Sequence, residues 1–552
     1  MGLSWRFLGG SDLKVISEVP RLNASEYNYG LFWKEYMRAN KPVLLTGLMD
    51  SWRACREWVL ESGAPNLTFI AENFGRSRVL VADCGRKEFT DQKRQEMTVL
   101  QFIEYWQKLR ENRMETGSQP DQLLYLKDWH FVKDFPAYCA YKTPEAFSDD
   151  WLNSYLDAFQ MHSVNAEITP KKADNDNQCS DYRFVYMGPK GTWTPLHADV
   201  FRSYSWSGNV CGRKRWFLLP PEQVHLSYDR FGRDTVYDVC SEVSAQQFPG
   251  FCETRWIECN QGPGEILFVP SGWFHQVINV EDTISINHNW LNACNISWAW
   301  KLLKTDYRET VESIEDIRSI SDDFELLCQR NLAANSGMNY LDFTIFLAKM
   351  ADSSIKFQSD LYPGYLGHDN SNELSELGKD VWKNNARQCL FNLLQIKQIL
   401  EEMSHEELFQ HGGESFPVGI SCKHLDLVEK LRVESKDKVS AVVGQFLIQG
   451  ERSPEIRFVS EFLSRFFAVN PSCSDCVGNT TESRCEFGKN LDGDVVEKSK
   501  TRKAAAEISG RPLVVLRCIQ YIIDMAARSG IIMSDVESYS ITLPRFLTVE
   551  PS

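Results

Sequence analysis

The sequence predicts an α+β protein with a jelly-roll β core, a mixed α/β lead-in before it and a helical region after it. Residues up to about 150 mix strand and helix patterns, residues 181–295 hold many short strands separated by Gly and Pro, and long helical patterns follow to about residue 470. Many short strands at this spacing are typical of a sandwich or small barrel. We therefore expect the chemistry to lie within the central strands.

The composition is that of a folded protein with more than one domain. The chain has 552 residues, 43% of them hydrophobic, including 16 Trp and 32 Phe, unlike an aromatic-poor disordered chain. The net charge of -15 argues against direct nucleic-acid binding. No apolar run approaches membrane-spanning length. The 16 cysteines follow no tight framework, which favours a reduced, cytoplasmic protein, with the nucleus as the other location.

The lead-in is predicted over residues 1–130. KPVLLTGL (41–48) has the pattern of a strand that closes at Gly47, and TVLQFIEYWQKL (98–109) has the spacing of an amphipathic helix. DQLLYLKDW (121–129) predicts another strand. The catalytic core is predicted to follow over residues 131–300.

Short strands with turn residues between them define the predicted core. In chain order they are YRFVYMG (182–188), TPLHADVF (194–201), RKRWFLLPP (213–221), GEILFVPSG (264–272), FHQVINV (274–280) and DTISINHNW (282–290).

The rest of the chain is predicted to be mainly helical. Residues 301–470 contain stretches such as LFNLLQIKQILEEM (390–403), residues 471–510 are polar and aromatic-poor, as in a linker or disordered insert, and residues 511–552 form a helix and tail. An amphipathic pattern of this kind is expected for helices that form a homodimer interface. Packing of the helices on their own domain explains the same pattern equally well.

His197 and Asp199 lie two residues apart inside an apolar stretch. Side chains two apart on a strand point the same way, and a carboxylate facing a core needs a positive partner because an unpaired buried charge is costly. A metal ion meets that need, and His275, just past the turn PSG, offers a third ligand. Two histidines and one carboxylate form the triad that binds non-haem Fe(II) with coordination positions left open. For His197 and Asp199 alone, a hydrogen-bonded core pair is the alternative.

Lys214 opens the apolar strand that follows. A lysine facing into a small barrel needs an anion, and a dicarboxylate cosubstrate that chelates the iron would provide one. A solvated basic turn formed by Arg213, Lys214 and Arg215 is the alternative. One face of DTISINHNW is wholly polar, which suits a hydrophilic ligand pocket, and it carries Thr283, Ser285, Asn287 and Asn289.

These motifs together resemble the jumonji C (JmjC) family of Fe(II)- and 2-oxoglutarate-dependent oxygenases. The resemblance rests on His197-x-Asp199, Lys214 and His275, and on the strings FVPSGWFHQVIN and KPVLLTGL. YLKDWH and HADVFRSYSWSGNVCGRK further resemble the jumonji domain-containing protein 4 group, lysyl hydroxylases of a translation termination factor. The resemblance implies a double-stranded β-helix, cupin-like core, with Fe(II) as cofactor, 2-oxoglutarate as cosubstrate and O2 as co-reactant.

The resemblance also implies individual roles. His197, Asp199 and His275 would ligate the iron of the catalytic centre, and Lys214 would pair with the distal carboxylate of 2-oxoglutarate. The further residues implied to line the cosubstrate site are Thr194, Asn289, Tyr186 and Ser207. Many relatives carry an asparagine near Ser207, so that hydrogen bond would differ here.

The expected function is hydroxylation of a lysine in a protein substrate, a translation termination factor. An N-methyl-lysine demethylase of the same family is the alternative. The absence of recognisable histone-reading zinc modules and the acidic balance favour hydroxylation. A catalytically silent JmjC binding module is a different class of function. The intact metal triad and Lys214 argue against it, since a scaffold does not need an anion-binding lysine beside an open metal site.

Overall fold

A computed structural model describes residues 13–116, 122–158, 181–321, 323–360 and 376–406. The described residues fall into two units, one reaching to Leu302 and one beginning at Leu303. The predicted linker over 471–510, the predicted helix and tail over 511–552 and the end of the predicted helical region lie outside the described residues. The five-segment division of the chain stays a prediction.

The first unit contains all the described strands. They are β1 (Val15–Glu18), β2 (Arg21–Asn23), β3 (Val43–Thr46), β4 (Arg78–Glu88), β5 (Asp91–Thr98), β6 (Leu124–Trp129), β7 (Arg183–Gly188), β8 (Trp193–His197), β9 (Tyr204–Cys211), β10 (Lys214–Leu219), β11 (Trp256–Gln261), β12 (Glu265–Val269), β13 (Phe274–Asn279) and β14 (Thr283–Trp290).

Short helices surround these strands. They are α1 (Tyr29–Phe32), which continues as a π-helical turn over Trp33–Met37, α2 (Ala54–Glu57), α3 (Leu67–Phe74), α4 (Val99–Thr116), α5 (Phe131–Asp134) and α6 (Trp151–Ala158). The unit also has 3-10 turns at Glu145–Phe147, Val200–Arg202, Pro221–Ser227 and Phe251–Glu253. Helix α7 (Ile296–Ser313) crosses the boundary between the two units.

Two sheets pack to form the core of the first unit. One has five strands in the order β1-β11-β10-β13-β8, and the other has nine in the order β2-β3-β12-β9-β14-β7-β6-β4-β5. Trp216, Leu218 and Val277 of the smaller sheet share a buried cluster with Leu44 and Leu267 of the larger one. Burying each such side chain contributes about 1.5–3 kcal/mol. The predicted jelly-roll, double-stranded β-helix core is thereby confirmed.

The far side of the larger sheet is aromatic. Trp206 of β9 and Trp290 of β14 lie there, each with its ring centroid within 5.5 Å of that of Phe147. Because side chains alternate along a strand, the neighbours Ser205 and Ser207 of β9 face the other sheet. Because the residues on the inner face of β9 are polar, the sequence does not show the apolar inner face that is expected of a core strand. For this reason β9 was not predicted.

The turn PSG before β13 is held by Asn40. The Asn40 side chain donates to the Ser271 carbonyl at 2.9 Å and accepts from the Ser271 N–H at 3.0 Å, and the Asn40 carbonyl accepts from Trp273 Nε1 at 2.9 Å. Gly272 takes a φ of 75°, a left-handed conformation that costs glycine little. This clamp fixes where β13 starts and hence where His275 lies.

The second unit is helical in its described part. It contains the end of α7, a 3-10 turn at Glu315–Ile317, and the helices α8 (Phe324–Ser336), α9 (Tyr340–Asp360) and α10 (Glu376–His405). Helix α8 ends at Gly337, whose φ of 79° makes a left-handed cap. The predicted helical character of the region after the core is confirmed for the residues that the structure describes there. None of the described helices is both long and apolar enough to cross a membrane.

Candidate active site

His197, Asp199 and His275 meet between the two sheets. One ligand atom from each of the three side chains lies within 4.8 Å of the other two. His197 at the end of β8 is paired directly with His275 of β13, and their ring centroids are 4.4 Å apart. The strand pairing thus brings together two histidines that are far apart in the sequence.

Backbone carbonyls fix the orientation of both imidazoles. His197 Nδ1 lies 2.8 Å from the Pro195 carbonyl and His275 Nδ1 lies 3.0 Å from the Trp273 carbonyl. A carbonyl only accepts, so each Nδ1 carries the proton and each Nε2 keeps a lone pair for a metal. Burial, with the neighbouring His275, lowers the pKa of His197 to about 4. That imidazole is therefore neutral, as a metal ligand must be.

Asp199 is not on a strand, contrary to the sequence-based interpretation. Strand β8 ends at His197, and Asp199 precedes the 3-10 turn Val200–Arg202. Its carboxylate is held in place by Ser205, whose Oγ donates to Asp199 Oδ2 at 2.7 Å. The turn is unusual because Phe201 and Arg202 have φ values of 53° and 51°, which bulky residues rarely adopt. A tight turn, rather than strand alternation, aims the carboxylate at the two histidines.

The donor set fits Fe(II). Two imidazoles and one carboxylate are the ligands of the facial triad, which leaves positions open for other ligands. On the inner faces of the two sheets, several buried polar atoms lack a hydrogen-bond partner within the described part of the chain, namely Ser207 Oγ, Asn209 Oδ1, Asn279 Oδ1 and Thr283 Oγ1. Unpaired buried polar atoms are rare in folded proteins. A polar ligand between the sheets would supply their partners.

Lys214 is 2% exposed and lies on the same face of its sheet as the histidines. It pairs with Asn279, which is two residues from Val277 and four from His275 on β13. The Lys214 ammonium donates to Tyr125 Oη at 3.2 Å, and burial lowers the pKa of Lys214 to about 7. The ammonium therefore lies inside the protein, not in the solvated turn that was the alternative.

Tyr125 was missed by the sequence analysis. It lies on β6 within the stretch that was correctly predicted as a strand, and it is 2% exposed. Strand alternation places Tyr125 and Lys127 on one face. The contact between this face and Lys214 arises only because the larger sheet, which contains β6, packs against the smaller sheet, which contains Lys214.

The structure divides the other predicted residues between the two sheets. Thr194 pairs with Val277 and so shares the face of His275 and Lys214. Ser207 on β9 pairs with Asn287 on β14, in the row next to that of Asn289 and Ser205. Asn289 donates from its side-chain amide to Ser203 Oγ at 3.2 Å, close to the Asp199 turn.

Tyr186 makes its hydrogen bond to Asp128 rather than to Lys214. It pairs with Ser285 on the inner face of the larger sheet, and its hydroxyl donates to Asp128 Oδ1 at 2.5 Å. Its ring makes an edge contact with that of Tyr125, with 6.1 Å between centroids. Tyr125, not Tyr186, is thus the hydrogen-bond partner of the buried lysine. The predicted roles of Thr194, Asn289, Tyr186 and Ser207 stay predictions.

Comparison with known proteins agrees with this geometry. Residues 30–296 match the family described as "Cupin-like domain". The chain is 58% identical over 339 residues to "Arginine-specific demethylase JMJ20" of Arabidopsis thaliana, a match that covers 61% of this chain and 71% of that protein. It is 38% identical over 413 residues to "2-oxoglutarate and iron-dependent oxygenase JMJD4" of Danio rerio, covering 74% and 90%. The human protein of that name is 37% identical over 363 residues, covering 63% and 80%.

Proposed function

The chain belongs to the cupin-like JmjC family of iron- and 2-oxoglutarate-dependent oxygenases, and we propose that it hydroxylates a lysine side chain of a protein, with a translation termination factor as the substrate. The observation that carries the catalytic part of the proposal is the convergence of His197, Asp199 and His275 within 4.8 Å. The termination factor rests on the resemblance of the motifs to the jumonji domain-containing protein 4 group.

In this proposal the residues between the two sheets bind and position the cosubstrate. Lys214 binds the distal carboxylate of 2-oxoglutarate, because a charge-assisted hydrogen bond is the strongest contact available to a buried anion. Tyr125, at 3.2 Å from the ammonium, holds Lys214 in place and contacts the same carboxylate. Thr194 lies on the same face and adds a hydroxyl.

When bound, the metal and 2-oxoglutarate supply the oxidising chemistry: O2 and 2-oxoglutarate yield succinate and CO2, and one oxygen atom enters a substrate C–H bond. The protein orients the target carbon and excludes water from it. Ser205, through its 2.7 Å hydrogen bond to Asp199, keeps one carboxylate oxygen occupied and the other free for the metal. No side chain needs to act as a nucleophile.

Arginine demethylation is the second candidate. It is favoured by the 58% identity to a protein named an arginine-specific demethylase. The chemistry would begin in the same way, since hydroxylation of an N-methyl carbon gives an unstable product that releases formaldehyde and leaves N–H. The ligand triad and Lys214 serve either outcome, so the substrate must distinguish them.

The test is mass analysis of a recombinant termination factor after incubation with the Fe(II)-loaded protein, 2-oxoglutarate and O2, with succinate measured in parallel. The proposal predicts a gain of one oxygen on a lysine peptide. A methylated histone tail serves as the second substrate, in both arginine- and lysine-methylated forms. Loss of a methyl group from arginine, with formaldehyde, would replace the proposal with the second candidate, and loss from lysine would indicate a methyl-lysine demethylase.

Asp199→Ala is the matched inactive control, since it removes one ligand and leaves both imidazoles held by their carbonyls. Succinate formation without any change in the substrates would leave an oxygenase with another substrate. No succinate under any condition would contradict enzymatic activity and favour a binding module. The cytoplasmic location and the homodimer are further proposals.

A further inference from the structure

Asn153 of helix α6 is a fully buried residue whose side chain bonds to two neighbouring strands. Its side-chain nitrogen donates to the Asn289 carbonyl at 3.0 Å, and its side-chain oxygen accepts from the Tyr182 N–H at 2.7 Å. Asn153 is 0% exposed. Asn289 is the last residue but one of β14, and Tyr182 directly precedes β7. The amide from α6 therefore lies where the pairing of β7 with β14 ends.

The Asn153 amide takes the place of one hydrogen bond of the sheet. Strands β7 and β14 are antiparallel, and their last pair is Arg183 with His288. The same register would next pair Tyr182 with Asn289, and a hydrogen-bonded pair exchanges two N–H···O bonds. One of these is present, from the Asn289 N–H to the Tyr182 carbonyl at 2.9 Å. The other is replaced by the two bonds of the Asn153 side chain, so the amide is inserted between the strands.

Helix α6 holds this amide in one orientation. Asp150, just before the helix, accepts from the Asn153 N–H at 2.9 Å and from the Asn153 side-chain nitrogen at 2.6 Å. Both hydrogens of the side-chain amide and its oxygen thus have partners. A flipped amide would bring its nitrogen against the Tyr182 N–H and its oxygen against the Asn289 carbonyl. The orientation is therefore fixed by its surroundings.

The Asn289 side chain points from this position towards the turn that carries Asp199. Asn289 is paired with Ser205 of β9, and the Ser205 hydroxyl donates to Asp199 at 2.7 Å. Directly paired residues share a face of the sheet, so the carboxamide and this hydroxyl border the same space. The Asn289 side-chain nitrogen donates to Ser203 Oγ at 3.2 Å. Within the described residues its side chain makes only this hydrogen bond, so one N–H and the oxygen remain for a molecule bound there.

From these contacts we propose that Asn153 is a positioning residue of the active site, which fixes the backbone of Asn289 and so directs the Asn289 carboxamide towards cosubstrate bound beside the metal ligands. Without the inserted amide, the Tyr182 N–H and the Asn289 carbonyl would either close on each other or stay unpaired, and both changes would turn the Asn289 side chain. The inference deepens the proposed function and rests on it for the presence of 2-oxoglutarate between the sheets.

The experiment measures binding of 2-oxoglutarate by the full chain, not turnover. The Fe(II)-loaded protein is titrated without oxygen, and the visible charge-transfer absorbance of the complex gives the Kd. Asn153→Leu keeps the approximate size of the side chain and removes both links. We expect the Kd to rise by about tenfold, the effect of one lost hydrogen bond to a charged acceptor. Metal content should stay unchanged, because none of the three ligands is altered.

A double-mutant cycle shows whether Asn153 acts through Asn289. Asn289→Ala alone should also raise the Kd by about tenfold. The double variant should bind no more weakly than Asn289→Ala, because Asn153 then has no carboxamide to position. Independent effects would instead multiply to about a hundredfold. A role in stability alone would lower the unfolding temperature of Asn153→Leu and leave its Kd as in wild type.

Asn66→Leu is the matched control. The Asn66 side chain also joins two segments, since it donates to the Glu57 carbonyl and accepts from the Phe69 N–H, both at 3.2 Å. These bonds lie in the lead-in, at the start of α3. The control should therefore lose stability in thermal unfolding and keep the wild-type Kd.

A second variant covers the case in which Asn153→Leu does not fold. Asp150→Asn combined with Asn153→Asp exchanges the two groups. This pair preserves the hydrogen bonds at the start of α6 and the acceptance from the Tyr182 N–H, and it removes the donation to the Asn289 carbonyl. The same rise in Kd is expected, and the same cycle with Asn289→Ala applies.

Three results would overturn the inference: a folded Asn153 variant whose Kd stays within about threefold of wild type, an Asn289→Ala protein with an unchanged Kd, or effects of the two positions that multiply. A wild-type protein that binds no 2-oxoglutarate would overturn both this inference and the proposed function. Effects that do not multiply, combined with an unmodified termination factor, would leave the inference standing and remove only the proposed substrate.

Discussion

The two sheets that enclose the candidate site contribute different chemistry. The five-stranded sheet supplies His197, His275 and Lys214. The nine-stranded sheet faces them with uncharged polar side chains on β9 and β14, namely Ser205, Ser207, Asn209, Ser285, Asn287 and Asn289. The five-stranded sheet therefore provides metal ligands and a buried cation, whereas β9 and β14 form a neutral wall that provides shape and uncharged hydrogen-bonding groups.

The difference follows from the cost of burying charge. A buried ion needs an opposite charge or several hydrogen bonds, while a neutral hydroxyl or amide needs only one or two. Because His197, His275 and Lys214 lie on one sheet, a single metal and a single dicarboxylate can satisfy them together. Substitutions on the neutral wall should therefore cost little stability, and they should change how well the pocket fits its ligands more than they change the rate of turnover.

The largest effect is expected from His275→Ala. Removing one imidazole of three ligands should abolish metal retention and reduce 2-oxoglutarate turnover to below about a thousandth of the wild-type rate. Metal content after dialysis and succinate formation are the measurements. His225→Ala, in the 3-10 turn Pro221–Ser227, is the control that should keep both. Retention of iron by His275→Ala would show that the metal lies elsewhere.

Lys214→Met should raise the KM for 2-oxoglutarate by about 100-fold, because the distal carboxylate would be buried without its charged partner. Metal content should stay unchanged, since Lys214 is not among the ligands. Methionine fills a similar volume without a buried ammonium, so the variant should remain folded by thermal denaturation. A KM within about threefold of wild type would assign the anion site to another residue.

The KM for 2-oxoglutarate should also rise with pH. Burial lowers the pKa of Lys214 to about 7, and only the ammonium form pairs with a carboxylate. Above that pH the protonated fraction falls, so KM should increase by about tenfold for each pH unit. The profile is measured between pH 6 and 9 in Lys214→Met and wild type. A flat wild-type profile, or an equal slope in the variant, would contradict the role of this lysine.

The smallest effect is expected on the neutral wall. Ser207→Ala removes a buried hydroxyl that has no partner in the described part of the protein. Unfolding free energy should be unchanged or higher by about 1 kcal/mol, and the KM for 2-oxoglutarate should rise less than about threefold. Chemical denaturation and steady-state kinetics measure the two quantities. A tenfold rise in KM would indicate that Ser207 contacts the cosubstrate directly. It would contradict the expected difference between the neutral wall and the five-stranded sheet.

The metal ligands were accessible from sequence, although one step of that reasoning was wrong. Residue type and short spacing identified His197, Asp199 and His275, and strand alternation was offered as the reason. In the structure β8 ends at His197 and a tight turn with left-handed Phe201 and Arg202 carries Asp199. A continuous strand and a strand followed by a tight turn can both bring His197 and Asp199 together, so the spacing of the two residues does not distinguish these conformations.

The order of elements was equally predictable, because it depends on local patterns. The strand at β3, the helix α4 and the strands β6, β7, β10, β12, β13 and β14 were anticipated from periodicity and turn residues. Strands β1, β2, β4, β5, β9 and β11 were not. The inner face of β9 is polar, and it is buried only because another sheet with metal ligands and a lysine lies opposite.

The sequence by itself determined the residue types that the chemistry needs and the order of strands that carry them, because both are encoded in stretches of a few residues. Tertiary structure alone decided which tyrosine meets Lys214 and which meets Asp128. Tyr125 and Lys214 are 89 residues apart, and Tyr186 and Asp128 are 58 apart. Contacts between such distant positions depend on the packing of two sheets and on the register shift in the pairing of β6 with β7, which no local pattern specifies.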